Sequence, residues 1–117
     1  MKIELKRVYE KPAKEGGCRI LVDRLWPRGV SKKDAKIDEW PKDIAPSTEL
    51  RNWFSHDPDK WVEFKRRYFH ELQGNKELLE NIFLAAKQQP ITLLYSAKDK
   101  DHNNAVALKE YIESKMK

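Results

Sequence analysis

Two short apolar runs constrain the fold of this 117-residue chain more than any other feature: ILV at 20–22 and ITLLY at 91–95. Both runs are β-prone and too short for buried helices, which is typical of strands buried on both faces. We predict that residues 18–23 form a central strand and 91–95 a second one. Helical segments between them favour parallel pairing through a crossover. The predicted fold is α/β: a small single-domain sandwich over residues 1–117, with a mainly parallel sheet flanked by helices.

The remaining elements follow from periodicity and capping residues. The N-terminal MKIELKRVY alternates as a strand with one solvated side does. Ser47, Asp57 and Asn75 each precede an apolar stripe at helical spacing, and their side-chain oxygens are expected to accept first-turn N–H groups. Gly74 is expected to end the middle helix in a left-handed conformation. A further helix follows the second buried strand, through Ala105, Leu108, Ile112 and Met116.

The segment from Pro27 to Pro46 is too rich in proline and glycine for one long helix or strand, so we predict an ordered loop. Ser31 followed by Asp34 predicts a single capped helical turn. Trp26 and Trp40 need apolar surfaces that would hold the loop in place.

Composition narrows the function classes. The formal charge of +5 arises from 24 basic and 19 acidic residues interleaved along the chain, which favours a solvated surface over nucleic-acid binding. No run approaches the roughly 20 apolar residues of a membrane span, and the N-terminus lacks the apolar core of a secretory signal. We therefore expect a cytoplasmic protein without a membrane partner. Cys18 is the only cysteine and zinc-site spacings are missing, so we expect no metal.

Two polar loops follow the predicted buried strands, where open parallel sheets usually bind ligands. The first contributes Asp23, Arg24, Trp26 and Arg28. The candidate residues of the second loop are Ser96, Lys98, Asp99, His102, Asn103 and Asn104. A guanidinium can bind an oxyanion at two points, and the second loop leads into a helix N-terminus, which attracts anions. We therefore expect a phosphate or carboxylate ligand.

Individual residues have competing interpretations. His102 is the candidate for moving a proton, or it is a surface histidine beside turn-forming asparagines. Asp99 or Asp101 is expected to cap the following helix. Asp23 and Arg24 either contact a ligand or form ion pairs within the fold. We expect a turn or capping role for His56.

Missing signatures remove several enzyme classes: the sequence has no GxGxxG, Walker, GxSxG or HExxH motif. A cysteine-based phosphatase or sulfurtransferase needs a thiolate in the anion loop, where this chain has Tyr95 and Ser96. Cys18, at the start of a buried strand, is expected to act as a small apolar residue.

Three segments together resemble the YeaO-like family, a domain of unknown function: RILVDRLWPRGVSK, WPKDIAPSTELRNWFSHDPDKWVEFKRRYFHEL and TLLYSAKDKDHNNAVAL. The resemblance spans most of the chain and implies a compact bacterial or archaeal α/β protein without an assigned reaction. The family's marked residues coincide with the two loops. As they stand here, they are Asp23, Arg24, Trp26, Pro27, Arg28, Ser96, Lys98, Asp99, His102, Asn103 and Asn104.

The leading hypothesis is a protein that binds a small anionic ligand at RLWPRG and SAKDKDHNN. Whether the site is also that of a hydrolase or transferase, with His102 as the catalytic residue, stays open in the sequence. A nucleic-acid-associated basic module, with lysines on phosphates and tryptophans stacked on bases, is the first alternative. A non-catalytic structural or partner-binding protein is the second. The sequence specifies neither a cofactor nor an oligomeric state.

Overall fold

The computed structural model describes residues 2–12 and 17–115. Within them the predicted α/β fold is confirmed. The strands are β1 (Ile3–Arg7), β2 (Cys18–Leu21) and β3 (Ile91–Tyr95), and the α-helices are α1 (Lys32–Ala35), α2 (Thr48–Phe54), α3 (Trp61–Gln73), α4 (Lys76–Gln88) and α5 (Asn104–Lys115). Single 3-10 turns at Lys42–Ile44 and Pro58–Lys60 precede α2 and α3.

The sheet is parallel, with strand order β1-β3-β2. The prediction that residues 18–23 form the central strand is therefore wrong, because β3 is central and β2 lies at an edge. The outer side of β2 is nevertheless covered: the Leu21 N–H donates to Glu39 O at 2.9 Å, and the Asp38 N–H donates to Arg19 O at 2.9 Å. An edge strand covered in this way is as buried as a central one, and all four of its residues are buried.

The two faces of the sheet are covered unequally. The main core lies between one face and helices α2 to α5, where Ile20, Leu93 and Tyr95 meet apolar residues of all four helices. A smaller core on the other face joins Leu21 and Leu94 to α1 and the following loop. The four longer helices therefore pack on one side, and the loops after the strands remain open at the carboxyl edge of the sheet.

The capping predictions are confirmed at the start of α2, at the 3-10 turn that leads into α3 and at the short helix α1, whereas α3 itself has no side-chain cap. Ser47 Oγ accepts the Leu50 N–H at 3.1 Å, Asp57 accepts the Asp59 N–H, and Ser31 accepts the Asp34 N–H. Asn75 precedes α4 as predicted but makes no side-chain cap. Its amide instead donates to Asp43 O at 3.1 Å, because that carbonyl lies beside the start of the helix.

Gly74 is not left-handed, which corrects the prediction. Its φ of −85° and ψ of −3° continue the right-handed path. The linker between α3 and α4 is only two residues long and is closed by helix-like hydrogen bonds, Gly74 N–H to Glu71 O and Asn75 N–H to Leu72 O. A left-handed residue would break that path. The non-glycine residues with positive φ in the described chain are Lys36, Ser55 and His56.

In the described chain, no helix combines the length and the apolar content needed to cross a bilayer. Residues 2–12 and 17–115 also contain no cluster of three histidine, cysteine or acidic side chains that could hold a metal ion.

Cys18 is buried as expected, and burial is the main cause that raises the pKa of its thiol. Met116, predicted to continue the last helix, lies outside the described residues.

Candidate functional site

A cleft of about 890 Å³ lies at the carboxyl edge of the sheet. Its wall is formed by residues that follow each of the three strands, together with the end of α2. Every residue predicted for the site lines this cleft: Asp23, Arg24, Trp26, Arg28, Ser96, Lys98, Asp99, His102, Asn103 and Asn104. The two loops therefore meet, with Arg28 and His102 on the same cavity, and the role of these residues in binding stays a prediction.

Asp23 joins the loops that follow β2 and β3. Its Oδ2 accepts hydrogen bonds from the Ser96 N–H at 2.9 Å and the Ser96 hydroxyl at 2.8 Å. Its Oδ1 accepts from the Asn104 amide at 3.1 Å, and that amide also donates to Val22 O at 2.9 Å. Three of the predicted site residues thus support one another.

Arg24 is anchored within the fold. Its guanidinium donates to Pro46 O at 3.2 Å and Ala45 O at 3.1 Å, and it forms a long ion pair with Asp43 at 3.4 Å. The interpretation of Arg24 as an internal brace fits these contacts, although its ionic partner is Asp43 and not the neighbouring Asp23. The arginine links the first loop to the segment that leads into α2.

The two tryptophans hold the first loop as predicted. Their rings meet edge to face with centroids 5.3 Å apart. Trp26 Nε1 donates to Val30 O at 2.7 Å, and Trp40 Nε1 donates to Asp23 O at 2.8 Å. The loop that carries Arg28 is therefore fixed on both sides of that residue.

The second loop is organised by Asp99 and Asn103. Asp99 Oδ1 accepts the N–H groups of Asp101 at 2.9 Å and His102 at 3.0 Å, so Asp99 closes a turn before α5. The helix is capped by Asn103, whose Oδ1 accepts the Val106 N–H at 3.0 Å. The expectation that Asp99 or Asp101 caps α5 is wrong, because both residues lie within this turn and Asn103 is the residue next to the helix.

His102 is oriented from two directions. Its Nδ1 lies 3.0 Å from Asp99 Oδ2, and its ring meets Trp61 edge to face at 5.4 Å. The N–H of Asp101 and the side chain of His102 are the main causes that lower the pKa of the Asp99 carboxyl. A carboxylate at Nδ1 favours the proton on that nitrogen and leaves Nε2 available. The side chain of His102 is one-third exposed.

Three cations of the cleft are exposed and have no carboxylate partner among residues 2–12 and 17–115: Arg28, Arg51 and Lys98. With Arg24 the lining holds four cations, and Asp23 and Asp99 are its only carboxylates. The formal charge of the lining is therefore +2 with both histidines neutral. Both carboxylates are occupied by hydrogen bonds from the protein.

The end of α2 forms part of the wall that sequence reasoning missed. Arg51, Asn52, Ser55 and His56 line the cleft there. Packing of Phe54 on Phe64, with stacked rings 4.3 Å apart, places this end of the helix. The turn predicted at His56 is confirmed by its φ of 56°, and Ser55 beside it has φ of 47°. No local motif indicates this wall, because its position depends on contacts between helices.

Comparison with known proteins identifies the family of this chain. The family model described as the inactive DUF488-N3 subclade, DUF488-N3i, matches residues 2–117. The chain belongs to DUF488-N3i. The DUF488-N3i chain is 45% identical to the uncharacterised protein YeaO of Escherichia coli (strain K12) over 114 residues, which cover 97% of this chain and 99% of that protein. The YeaO-like resemblance seen in the sequence is thereby confirmed.

Other relatives match a shorter part of the chain. Uncharacterised proteins of Mycobacterium bovis and Mycobacterium tuberculosis are each 44% identical to this DUF488-N3i chain over 79 residues, covering 68% of the chain and 67% of each relative. No solved structure matches the chain significantly. The names of these relatives assign no reaction.

Proposed function

We propose that this protein binds a small anion, a phosphate- or carboxylate-bearing molecule, in the cleft between RLWPRG, SAKDKDHNN and the end of α2. The observation that carries the proposal is that Arg28, Arg51 and Lys98 converge on one concave site and have no carboxylate partner among the residues that the structure describes. Cations that line a cleft and lack a partner gain most from an oxyanion guest, because low-dielectric walls focus their field.

The surrounding hydrogen bonds favour this assignment of roles. Asp23, Arg24, Ser96 and Asn104 are occupied in bracing the loops and so supply rigidity. His102 offers its Nε2 as a donor or acceptor for the ligand. A binding site whose supporting residues are locked in this way loses little entropy when the ligand arrives.

The proposal is for binding without turnover. Ser96 donates its hydroxyl to Asp23 at 2.8 Å, and no serine–histidine hydrogen bond is present in the described part of the chain. The description of the family as an inactive subclade also favours binding. We therefore place His102 as a ligand contact, and the hydrolase or transferase reading of the same site has less support.

Calorimetric titration with inorganic phosphate at constant ionic strength tests the proposal. We expect saturable binding, weakened about tenfold in Arg28→Gln and in Lys98→Gln, because each loses one charge-assisted hydrogen bond. Lys87→Gln, which removes an exposed cation at the end of α4, is the matched control and should bind as wild type does. Absence of saturable binding, or an equal loss in Lys87→Gln, would contradict the proposal.

A further inference from the structure

Apolar side chains are gathered at the same cleft. Five large hydrophobic side chains are exposed in the described chain, and three of them lie in or beside RLWPRG: Leu25 within it, Tyr9 against Arg28 and Trp40 against Trp26. Tyr9 and Leu25, which are 50% and 60% exposed, line the cleft itself. Exposed apolar side chains scattered singly need no explanation, but a group beside a concave polar site does.

Leu25 is held in its exposed position by its neighbours. Arg24 is anchored on the carbonyls of Ala45 and Pro46, and Trp26 is anchored on Val30 O. Because the residues on both sides are fixed, the Leu25 side chain cannot turn into the core. Its exposure is a property of the folded loop.

The inner wall is also aromatic. Phe54 of α2 and Phe64 of α3, whose stacked rings lie 4.3 Å apart, line the cleft, and Trp26 lines it from the first loop. The Tyr9 hydroxyl donates to the backbone carbonyl of Arg28 at 3.2 Å, so Tyr9 lies against the Arg28 backbone. These apolar side chains and Arg28 therefore line the same cleft.

We propose that the ligand of this cleft is an amphipathic anion: a small molecule in which a phosphate or carboxylate adjoins a flat apolar group such as an aryl ring. The inference rests on the proposed function and adds the apolar half of the ligand. The anionic group contacts Arg28, Arg51 and Lys98, and the flat group packs on Leu25 and Tyr9. The cleft volume of about 890 Å³ suits a small molecule.

Two phosphate monoesters of equal charge test the inference: phenyl phosphate and methyl phosphate, titrated at about pH 8, where both are dianions. We expect phenyl phosphate to bind about tenfold more tightly, as a ring half buried against apolar side chains should. Leu25→Ser should remove most of that preference, measured as the ratio of the two dissociation constants in the variant. Val62→Ser, which alters an exposed apolar residue on α3 that does not line the cleft, should keep the preference.

The outcomes separate this inference from the proposed function. Equal affinity for the two esters would overturn the inference and leave anion binding intact. A preference that survives Leu25→Ser would also overturn it, because the ring would then bind elsewhere. If neither ester nor inorganic phosphate binds, the proposed function fails as well.

Discussion

Asp23 and Glu63 each accept three hydrogen bonds, but these bonds have different structural roles. Asp23, at the cleft, accepts from Ser96 and Asn104, which lie 73 and 81 residues further along the chain. Glu63, on α3, accepts all three of its bonds from Arg66 and Arg67 of the same helix. One carboxylate joins distant loops, and the other neutralises adjacent cations.

The comparison explains why one basic region is a candidate site and the other is not. On α3 the Glu63 carboxylate lies 2.6 Å from Arg66 and 2.8 Å from Arg67, so an anion would have to displace it. In the cleft Asp23 is occupied by an amide, a hydroxyl and a backbone N–H, and Arg28, Arg51 and Lys98 have no carboxylate partner in the described part of the chain. The partners of basic residues therefore locate a candidate anion site better than their number does.

The largest expected effect concerns Asp23. Asp23→Ala should lower the free energy of unfolding by about 2–3 kcal/mol, because the Ser96 N–H and the Asn104 amide lose their acceptor in a partly buried site. Glu63→Ala removes as many hydrogen bonds from an exposed helix surface and should leave the unfolding midpoint nearly unchanged. Chemical denaturation of both variants measures the difference. Equal losses of unfolding free energy in the two variants would show that the two carboxylates contribute alike to stability.

The second prediction compares two helical arginines. Arg51→Gln should weaken phosphate binding about tenfold, since Arg51 lines the cleft and has no carboxylate partner in the described chain. Arg66→Gln removes a cation already paired with Glu63 and should leave the dissociation constant unchanged. Calorimetric titration decides between them. Weaker binding in Arg66→Gln alone would move the site to α3.

A smaller effect is expected at the left-handed turn. His56→Gly should raise the free energy of unfolding by roughly 0.5–1 kcal/mol. Glycine avoids the penalty of about 1–2 kcal/mol for a left-handed residue, and this gain exceeds the cost of the extra conformational entropy of glycine in the unfolded state. Lys36→Gly, at a left-handed position with φ of 51° outside the cleft, should gain a similar amount. Thermal or chemical unfolding checks both.

These glycine variants also separate stability from function. We expect weaker phosphate binding in His56→Gly and unchanged binding in Lys36→Gly, because only His56 lines the cleft. If both variants gain stability and both bind phosphate as wild type does, His56 is a turn residue only. A loss of stability in His56→Gly would show that the left-handed conformation carries no strain.

The smallest effect is a pH dependence on α3. The hydrogen bonds of Arg66 and Arg67 lower the pKa of Glu63 from its usual 4.5 to about 2. A lowered folded pKa contributes stability above the usual value and loses it as the pH falls toward the folded one. The contribution is small because the group is exposed. NMR titration should find the midpoint near 2 in wild type and near the usual value when both arginines are glutamine.

Much of the fold could be predicted because local signals determine it. The capping oxygens of Ser31, Ser47 and Asp57 lie at their expected helix or turn starts, and the two apolar runs form parallel strands. The order of the strands could not be predicted. Burial on both faces marks an interior position, and the segment at Asp38 and Glu39 gives edge strand β2 the same burial as a central strand.

The site was predictable to the extent that it follows from strand ends. Both loops lie at the carboxyl edge of the sheet, so parallel pairing brings Asp23 and Ser96 together without further information. The contribution of α2 was not predictable, because Arg51 and His56 reach the cleft only through the packing of Phe54 on Phe64. The sequence also does not tell which arginine is anchored within the fold and which lacks a partner, because Arg24 and Arg28 differ only in their three-dimensional surroundings.

The most direct test of the central claim is an NMR titration of the labelled protein with inorganic phosphate at constant ionic strength. The account predicts saturable shifts of backbone amides in residues 24–28, 51–56 and 96–102, with residues 63–70 of α3 unaffected. Saturable shifts confined to α3, or no saturable shift at the cleft, would contradict it.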